Sequence, residues 1–478
     1  MSETIRGMKR TGYCAEFRSQ DVGKEVTVKL KIPVNKQFNN FLTRSGDKIM
    51  DGGKEFRFIS VNTPFLHFNQ LPSWRKNSEW EVEDLIRTVN ILGGQITRTF
   101  TFPILGGTVS RPTDFCYGGP GIYNDTTFRQ FDMAIAYANY YGVRLAVPII
   151  DYWQFFGGII EFAGFRGKSG DAFYTDAQIK QDFKNYLNYI LNRTNYYTGV
   201  KYKDEKAIAY WELGNELSVV GENKAATGNI DKWSVEMAQY IKSVDTNHMV
   251  MDGRGPVTNN LSEEVLNSPS IDIFGPHFYI GDFKTDLRKD HAAVKGKKVL
   301  IVGEFGAYTI DHFNAINRTV IDDGITGSMM WALMGHQEAG GFFEDTKPNQ
   351  FEFHFPGTND EYETKEKITL LRGMAFEIQG KSVPPIPVPN APVMPDVYVL
   401  GYIRWRGSTG ANQYVLERAE NPNGPWTVLT SNFQENSPTY AGYDDKTANP
   451  GKSYYYRVKA FNESGGSPYS NLMSVHGN

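Results

Sequence analysis

Apolar residues recur along the first 380 positions in two alternating patterns, and a third pattern replaces them afterwards. Runs apolar on both faces, at 56–62, 95–100, 144–150, 207–211, 248–252, 271–274, 299–302 and 328–331, predict eight buried strands of a parallel sheet. Between them apolar residues return at helical spacing. Val82, Leu85, Ile86 and Val89 form one stripe, and Phe131, Ile135 and Ala138 a second. Ile179, Phe183, Tyr186, Leu187 and Ile190 form a third, and Trp233, Met237, Tyr240, Ile241 and Val244 a fourth. Ser78-Glu79-Trp80-Glu81 predicts a capping box before the first stripe, while Gly93 and Gly142 end the first two. A last helix is expected over 365–379. This alternation over 41–380 predicts an α/β fold, a (β/α)8 TIM barrel longer than the roughly 250 residues usual for it. The surplus falls to loops, above all 335–362 after the eighth strand.

Flanking stretches differ. Residues 1–40 are polar, with one strand-like run at 26–30, and read as an N-terminal extension. A hairpin turn is expected at 47–54. Residues 381–393 hold five prolines and predict an extended, semi-stiff linker. Beyond it, alternating runs at 402–405, 413–417 and 454–460 predict an immunoglobulin-like β-sandwich over 394–478. Trp405 and Trp426 are candidates for a sugar platform there, with plain core packing the alternative for Trp405.

Composition narrows the partners. A formal charge of −4 and a pI near 6.1 argue against nucleic acid or an anionic membrane. No run approaches the ~18 apolar residues of a membrane span. The N-terminus lacks the apolar core of a signal peptide. An extracellular or periplasmic protein whose signal segment is absent from this chain is expected, with a cytoplasmic one as the alternative. The histidines are scattered without paired spacing, so no metal or other cofactor is expected. Cys14 and Cys116 leave room for one disulfide. Aromatic residues make up 14% of the chain; most are expected in the core, and the rest suit stacking on the C–H faces of sugars.

The strand ends carry the chemistry, because active sites of parallel barrels form at the C-terminal ends of the strands. After the fourth strand comes Trp211-Glu212-Leu213-Gly214-Asn215-Glu216, and after the seventh Gly303-Glu304-Phe305-Gly306. Glu216 and Glu304 are 88 positions apart (304 minus 216), about three strand-plus-helix units, so both face one mouth. Two facing carboxylates are the minimum equipment for glycoside hydrolysis. Retention requires one of them ionised and one protonated. Nearby cations are expected to keep the first charged, and desolvation to keep the second neutral. Arg98 is the expected cation for Glu304, and Tyr279 a hydrogen-bond donor to it. His277 lies just past strand six, Trp331 can floor the site, and Asn215 can hold a sugar 2-hydroxyl. Glu212, inside the same motif, is expected to serve packing or a structural ion pair.

These residues resemble glycoside hydrolase family five, a group of retaining enzymes on (β/α)8 barrels. Arg98, Asn215-Glu216, His277 with Tyr279, Glu304 and Trp331 carry the resemblance. It implies that Glu216 is the general acid/base and Glu304 the nucleophile. Within the family the chain is similar to β-mannanases and β-mannosidases, through Gly119-Pro120-Gly121-Ile122-Tyr123-Asn124, Trp153 with Gly157-Gly158, and Asn192-Arg193-Thr194-Asn195. The implied activity is cleavage of β-1,4-mannosidic bonds in a polysaccharide or oligosaccharide by a monomer. A β-glucan, xylan or decorated hemicellulose is the alternative substrate, and a non-catalytic carbohydrate-binding protein a more distant one. Two loops depart from the mannanase pattern, Asp151-Tyr152-Trp153 after strand three and Asp252-Gly253-Arg254-Gly255 after strand five. Asp151 and Arg254 are therefore expected to recognise a different or decorated sugar. Around Pro450-Gly451 and Tyr454 the sequence resembles the tyrosine corner of fibronectin type III domains.

Overall fold

Eight parallel strands form in the expected order in a computed structural model that describes residues 38–69, 75–107, 113–217, 224–254, 262–306, 308–343, 351–395, 400–435 and 442–476. They are β1 (Phe58–Val61), β2 (Ile96–Arg98), β3 (Arg144–Pro148), β4 (Ile208–Glu212), β5 (Met249–Met251), β6 (Ile273–Phe274), β7 (Val299–Phe305) and β8 (Gly327–Met330). Neighbours in sequence are neighbours in the sheet, from β2 round to β8 and on to β1. A parallel bridge between Asn62 and Arg98 joins β1 to β2 and closes the ring. Each strand is followed by a helix: α1 (Glu79–Ile91), α2 (Asp125–Tyr141), α3 (Ala177–Asn192), α4 (Lys224–Val244), α5 (Glu263–Asn267), α6 (Phe283–Val294), α7 (Ile310–Asp322) and α8 (Thr364–Glu377). The fold is thus a (β/α)8 barrel. Among the described residues no helix is long and apolar enough to cross a membrane.

Local chemistry explains the boundaries. Ser78 caps α1 and Glu81 returns the bond to the Ser78 N–H, the capping box expected from the sequence. Gly142 ends α2 in the left-handed conformation, φ 71°. Strand residues alternate between two apolar layers. Ile96, Ala146, Tyr210, Met251, Ile301 and Met329 point into the barrel. Leu145, Val147, Val250, Leu300 and Val302 point out and pack under the helices. A three-stranded antiparallel sheet, 42–56, brings Leu42, Ile49 and Phe56 into the interior layer and closes the end opposite the active-site rim. The stretch 47–54, expected as a turn, holds the middle strand Lys48–Asp51 of this sheet, with its second turn at Gly52-Gly53.

Two strands differ from expectation. The run at 56–62 is broken at Arg57, whose guanidinium leaves the sheet to donate to the carbonyls of Val320, Ile321 and Ile325 at the end of α7. β7 runs past Val302 to Phe305, because His277–Phe278 resumes the sixth strand after Gly275-Pro276 and pairs His277 with Glu304.

Residues 32–478 form one compact unit, and the C-terminal strands belong to it. They are β9 (Tyr402–Ile403), β10 (Gln413–Ala419), β11 (Thr427–Phe433), β12 (Tyr443–Asp444), β13 (Ser453–Asn462), β14 (Gly465–Gly466) and β15 (Met473–His476). Antiparallel pairing gives a five-stranded sheet and the two-stranded β9–β12 sheet, around Trp405, Tyr414, Leu416, Tyr454, Tyr456 and Val458. Trp405 is buried against Tyr414 and Phe433 and so presents no sugar platform, while Trp426 has the Arg457 guanidinium 4.1 Å from its ring centre. The proline-rich stretch has no regular structure yet is fastened. Pro387 accepts from Asn462 at 2.7 Å, Pro384 accepts from Arg372, and Ile386 is buried. Cys116 is a free, buried thiol. Cys14, the strand-like run at 26–30 and most of the N-terminal extension lie outside the described residues.

Candidate active site

The strand ends deliver their polar residues to one rim, where they interlock. Past β4 the chain turns sharply at Gly214, where a Cβ would lie 2.5 Å from the Ile150 carbonyl. Glu216 follows with φ 52°, a left-handed conformation that costs a non-glycine residue about 1–3 kcal/mol. Such strain persists only where surrounding contacts over-determine it. Here the Glu216 carboxylate accepts from Trp153 Nε1 at 2.7 Å and lies 2.8 Å from His277 Nδ1.

Arg98, fully buried at the end of β2, is the hub. It donates through Nε and Nη2 to both oxygens of Glu212, at 2.6 and 2.9 Å. Its Nη1 donates to Glu304 at 2.6 Å, and Nη2 also reaches the Asn215 side-chain oxygen at 2.8 Å. Burial opposes its charge, but Glu212 and then Glu304 raise its pKa, so Arg98 is a fixed cation. Tyr279 donates to the other Glu304 oxygen at 2.7 Å. Its own pKa is pushed well up by burial and the Glu304 charge, so it remains a donor. His277 Nδ1 stands 3.5 Å from Glu304, so one imidazole nitrogen faces both glutamates. One donor atom each of Glu216, His277 and Glu304 lie within 4.8 Å of one another. Two carboxylates and an imidazole are also donors a divalent cation accepts, but hydrogen bonds from His277 and Trp153 to Glu216, and from Arg98 and Tyr279 to Glu304, already account for their placement.

The protonation pattern is not the one expected. Burial holds Glu304 above the usual carboxylate range, against His277 and Arg98. Burial also acts on Glu216, but the His277 and Trp153 donors outweigh it and hold this carboxyl below its usual range. His277 is buried, which disfavours its charge, yet Glu304 and Glu216 carry its pKa up. His277 Nδ1 thus lies within one hydrogen bond of Glu216.

Other candidates divide. Trp331 is half-buried against Phe100, with ring centres 6.2 Å apart, at the head of an aromatic cluster that includes Phe155 and Phe156. Trp153 is 45% exposed at the mouth. Asn215 is committed to the scaffold, since it accepts from Arg98 and donates to Asp151 Oδ1 at 2.9 Å. Asp151 is wholly buried and Arg254 nearly so, so each can act on a sugar only through its neighbours. Asp151 orients Asn215, and Arg254 pairs with Asp231 and Asp252. The sequence reading gave no role to Asn62, whose amide donates to the Gly303 and Met329 carbonyls at 3.0 and 3.1 Å, beneath Glu304. A polar residue ending an apolar strand, the signal used for Glu216, marks Asn62 as well.

Comparison with known proteins agrees with this geometry. A family model described as GH family 5 beta-mannosidase-like matches residues 111–295. Mannan endo-1,4-beta-mannosidase 1 of Solanum lycopersicum is 30% identical over 342 residues, 60% of this chain and 83% of that one. A putative mannan endo-1,4-beta-mannosidase P of Arabidopsis thaliana is 31% identical over 237 residues, 48% of this chain and 55% of its own. The match thus spans little more than half the length of several such relatives. The endo-beta-1,4-mannanase of Thermotoga petrophila shares the fold at 20% identity and TM-score 0.59, over 89% of this chain and 98% of that one. The endo-1,4-beta-mannanase of Rhizomucor miehei does so at 23% identity and TM-score 0.58, over 70% and 99%. On the tomato relative and the family model, with eight strands closed around a buried Arg98 and two facing glutamates, the chain belongs to glycoside hydrolase family 5.

Proposed function

We propose that the protein is a retaining glycoside hydrolase that cleaves β-1,4-mannosidic bonds of mannan or mannooligosaccharides. The observation that carries this is the carboxylate pair, with nearest oxygens of Glu216 and Glu304 within 4.8 Å. Retaining enzymes hold their carboxyls ~5–5.5 Å apart, while inverting ones need ~6.5–9.5 Å to admit a water. Glu304 is the nucleophile, because Arg98 and Tyr279 each hold one of its oxygens and stabilise its ionised form. Its carboxylate attacks the anomeric carbon as the bond to the leaving oxygen breaks. Glu216, supplied with a proton across the His277 hydrogen bond, protonates that oxygen. A water then enters, gives a proton to Glu216, and attacks the anomeric carbon to release Glu304.

The Asp151 and Arg254 loops leave a related β-glycan as a second reading. Product analysis on linear β-1,4-mannan against cellulose decides between them. Reducing sugar from mannan alone supports the first, and a ladder of products means internal cleavage where mannose alone means terminal cleavage. Polymeric mannan does not cross a membrane, which supports a monomeric enzyme acting outside the cytoplasm, with a cytoplasmic enzyme acting on mannooligosaccharides as the alternative.

The organisation that goes with it is an extension at 1–40, a catalytic barrel at 41–380, a linker at 381–393 and a fibronectin type III-like sandwich at 394–478. Support for the last is the Tyr454 hydroxyl, which accepts from the Asn449 N–H at 3.1 Å in the manner of a tyrosine corner.

A further inference from the structure

The loop that leaves β8 makes a small hairpin whose two legs serve different parts of the molecule. His336 pairs with Phe342 across it, and the Phe343 N–H donates to the Gly335 carbonyl at 3.0 Å. The outgoing leg is gripped from both sides. The His336 N–H donates to Asp84 of α1 at 3.0 Å, and its Nδ1 lies 3.1 Å from both oxygens of the same carboxylate. From the C-terminal strands, Thr409 donates to Asp84 Oδ1 at 2.6 Å, and Glu435 lies 3.6 Å from His336 Nε2. All of these side chains are at least nine-tenths buried. Burial opposes a charge on His336, but Asp84 and Glu435 carry its pKa up to about 10, so the imidazolium is permanent at neutral pH.

One turn further out, Glu338 accepts from Arg406 of the C-terminal region at 3.1 Å, and its N–H donates to Glu81 at 2.8 Å. Glu81 holds Arg75 through two bonds of 2.6 and 2.7 Å, and the Arg75 guanidinium lies 5.2 Å from the Phe343 ring centre. Phe343, on the returning leg, belongs to the buried aromatic layer on which Trp331 and Phe155 rest. A continuous series of contacts therefore runs from Arg406 through Glu338, Glu81 and Arg75 to Phe343 at the wall of the sugar site, while Glu435, Thr409 and Asp84 fix the other leg of the same hairpin.

We infer that Asp84, His336, Glu435 and the Arg406–Glu338 pair are positioning residues for that wall, so that the C-terminal strands hold the substrate-binding surface of the barrel in place. A tethered spacer would leave the barrel to build its own mouth, whereas here the mouth loop is clamped by two carboxylates from different parts of the chain. The inference rests on the proposed sugar site, with Trp331 and Phe155 as its wall. These contacts act on a bound sugar alike in ground and transition states, and the clamp touches neither Glu216 nor Glu304. Loss of the clamp therefore raises KM and leaves kcat in place.

The experiment uses the full chain and β-1,4-mannotetraose, with Glu435→Gln, Thr409→Val and Arg406→Met measured beside the unaltered protein. Thermal melts show which variants fold, and Thr409→Val, the mildest, keeps the comparison available. The expected result is a KM raised about fivefold or more, with kcat within about twofold and an unchanged pH profile. KM within about twofold in folded variants, or a fall in kcat alone, overturns the inference. An unaltered protein with no activity on mannan and mannotetraose overturns the proposed function instead.

Discussion

Tyr279→Phe removes a single oxygen from the site and tests what keeps the nucleophile charged. That oxygen donates to Glu304 at 2.7 Å in a buried setting, and its loss leaves Glu304 with Arg98 at 2.6 Å and His277 at 3.5 Å. Hydrogen bonds to charged groups contribute about 1.5–3 kcal/mol, and one pKa unit corresponds to about 1.4 kcal/mol. The Tyr279 bond lowers the Glu304 pKa, opposing burial, so its removal raises that pKa further. Activity requires ionised Glu304 and falls as pH drops through its pKa, so the acid limb of the profile moves to higher pH. The assay is kcat/KM against pH on an aryl β-mannoside with an acidic phenol, whose departure needs no proton from Glu216. A limb that stays in place or moves to lower pH refutes the assignment of Tyr279 and Arg98 as the supports of Glu304.

Further outcomes follow from the same geometry. Glu216→Ala abolishes cleavage of mannooligosaccharides by at least a hundredfold but spares the activated aryl mannoside, since only the former needs acid assistance; equal losses on both contradict the role. Gly253→Ala places a Cβ 2.0 Å from the Gly214 carbonyl at φ +69°, beneath the Asn215-Glu216 turn, so both melting temperature and kcat fall, as calorimetry and initial rates will show. Asp252 is buried beside Glu212 and its pKa is pushed up to about 7, chiefly by desolvation. Its charge is disfavoured in the folded state, so its cost to stability grows as pH rises from the ordinary aspartate range through 7. Asp252→Asn raises the melting temperature at pH 8 and flattens its dependence between pH 4 and 7; an unchanged slope contradicts this.

The barrel was legible because eight apolar runs separated by helical stripes leave few alternatives. Rim residues were legible for a related reason: a polar side chain directly after an apolar strand has only the barrel mouth to face. Two parts were not. His277 is where the sequence places it, just past strand six, but its register with Glu304 and its 2.8 Å approach to Glu216 depend on the break at Gly275-Pro276. The opposite directions in which the two carboxyls are pushed come from burial at Glu304 and from the His277 and Trp153 donors at Glu216, neither of which sequence records. The docking of the C-terminal strands was invisible for a different reason. Asp84, His336, Thr409 and Glu435 are spread over 350 positions and carry no common pattern, so only the folded chain brings them together.

Trapping the covalent intermediate tests the central claim most directly. A 2-deoxy-2-fluoro-β-mannosyl fluoride slows breakdown of the glycosyl-enzyme, and peptide mass mapping then locates the label. The carboxylate geometry predicts one fluoromannosyl group on the peptide that contains Glu304. A label on Glu216, or no label together with an inverted product by proton NMR, contradicts it.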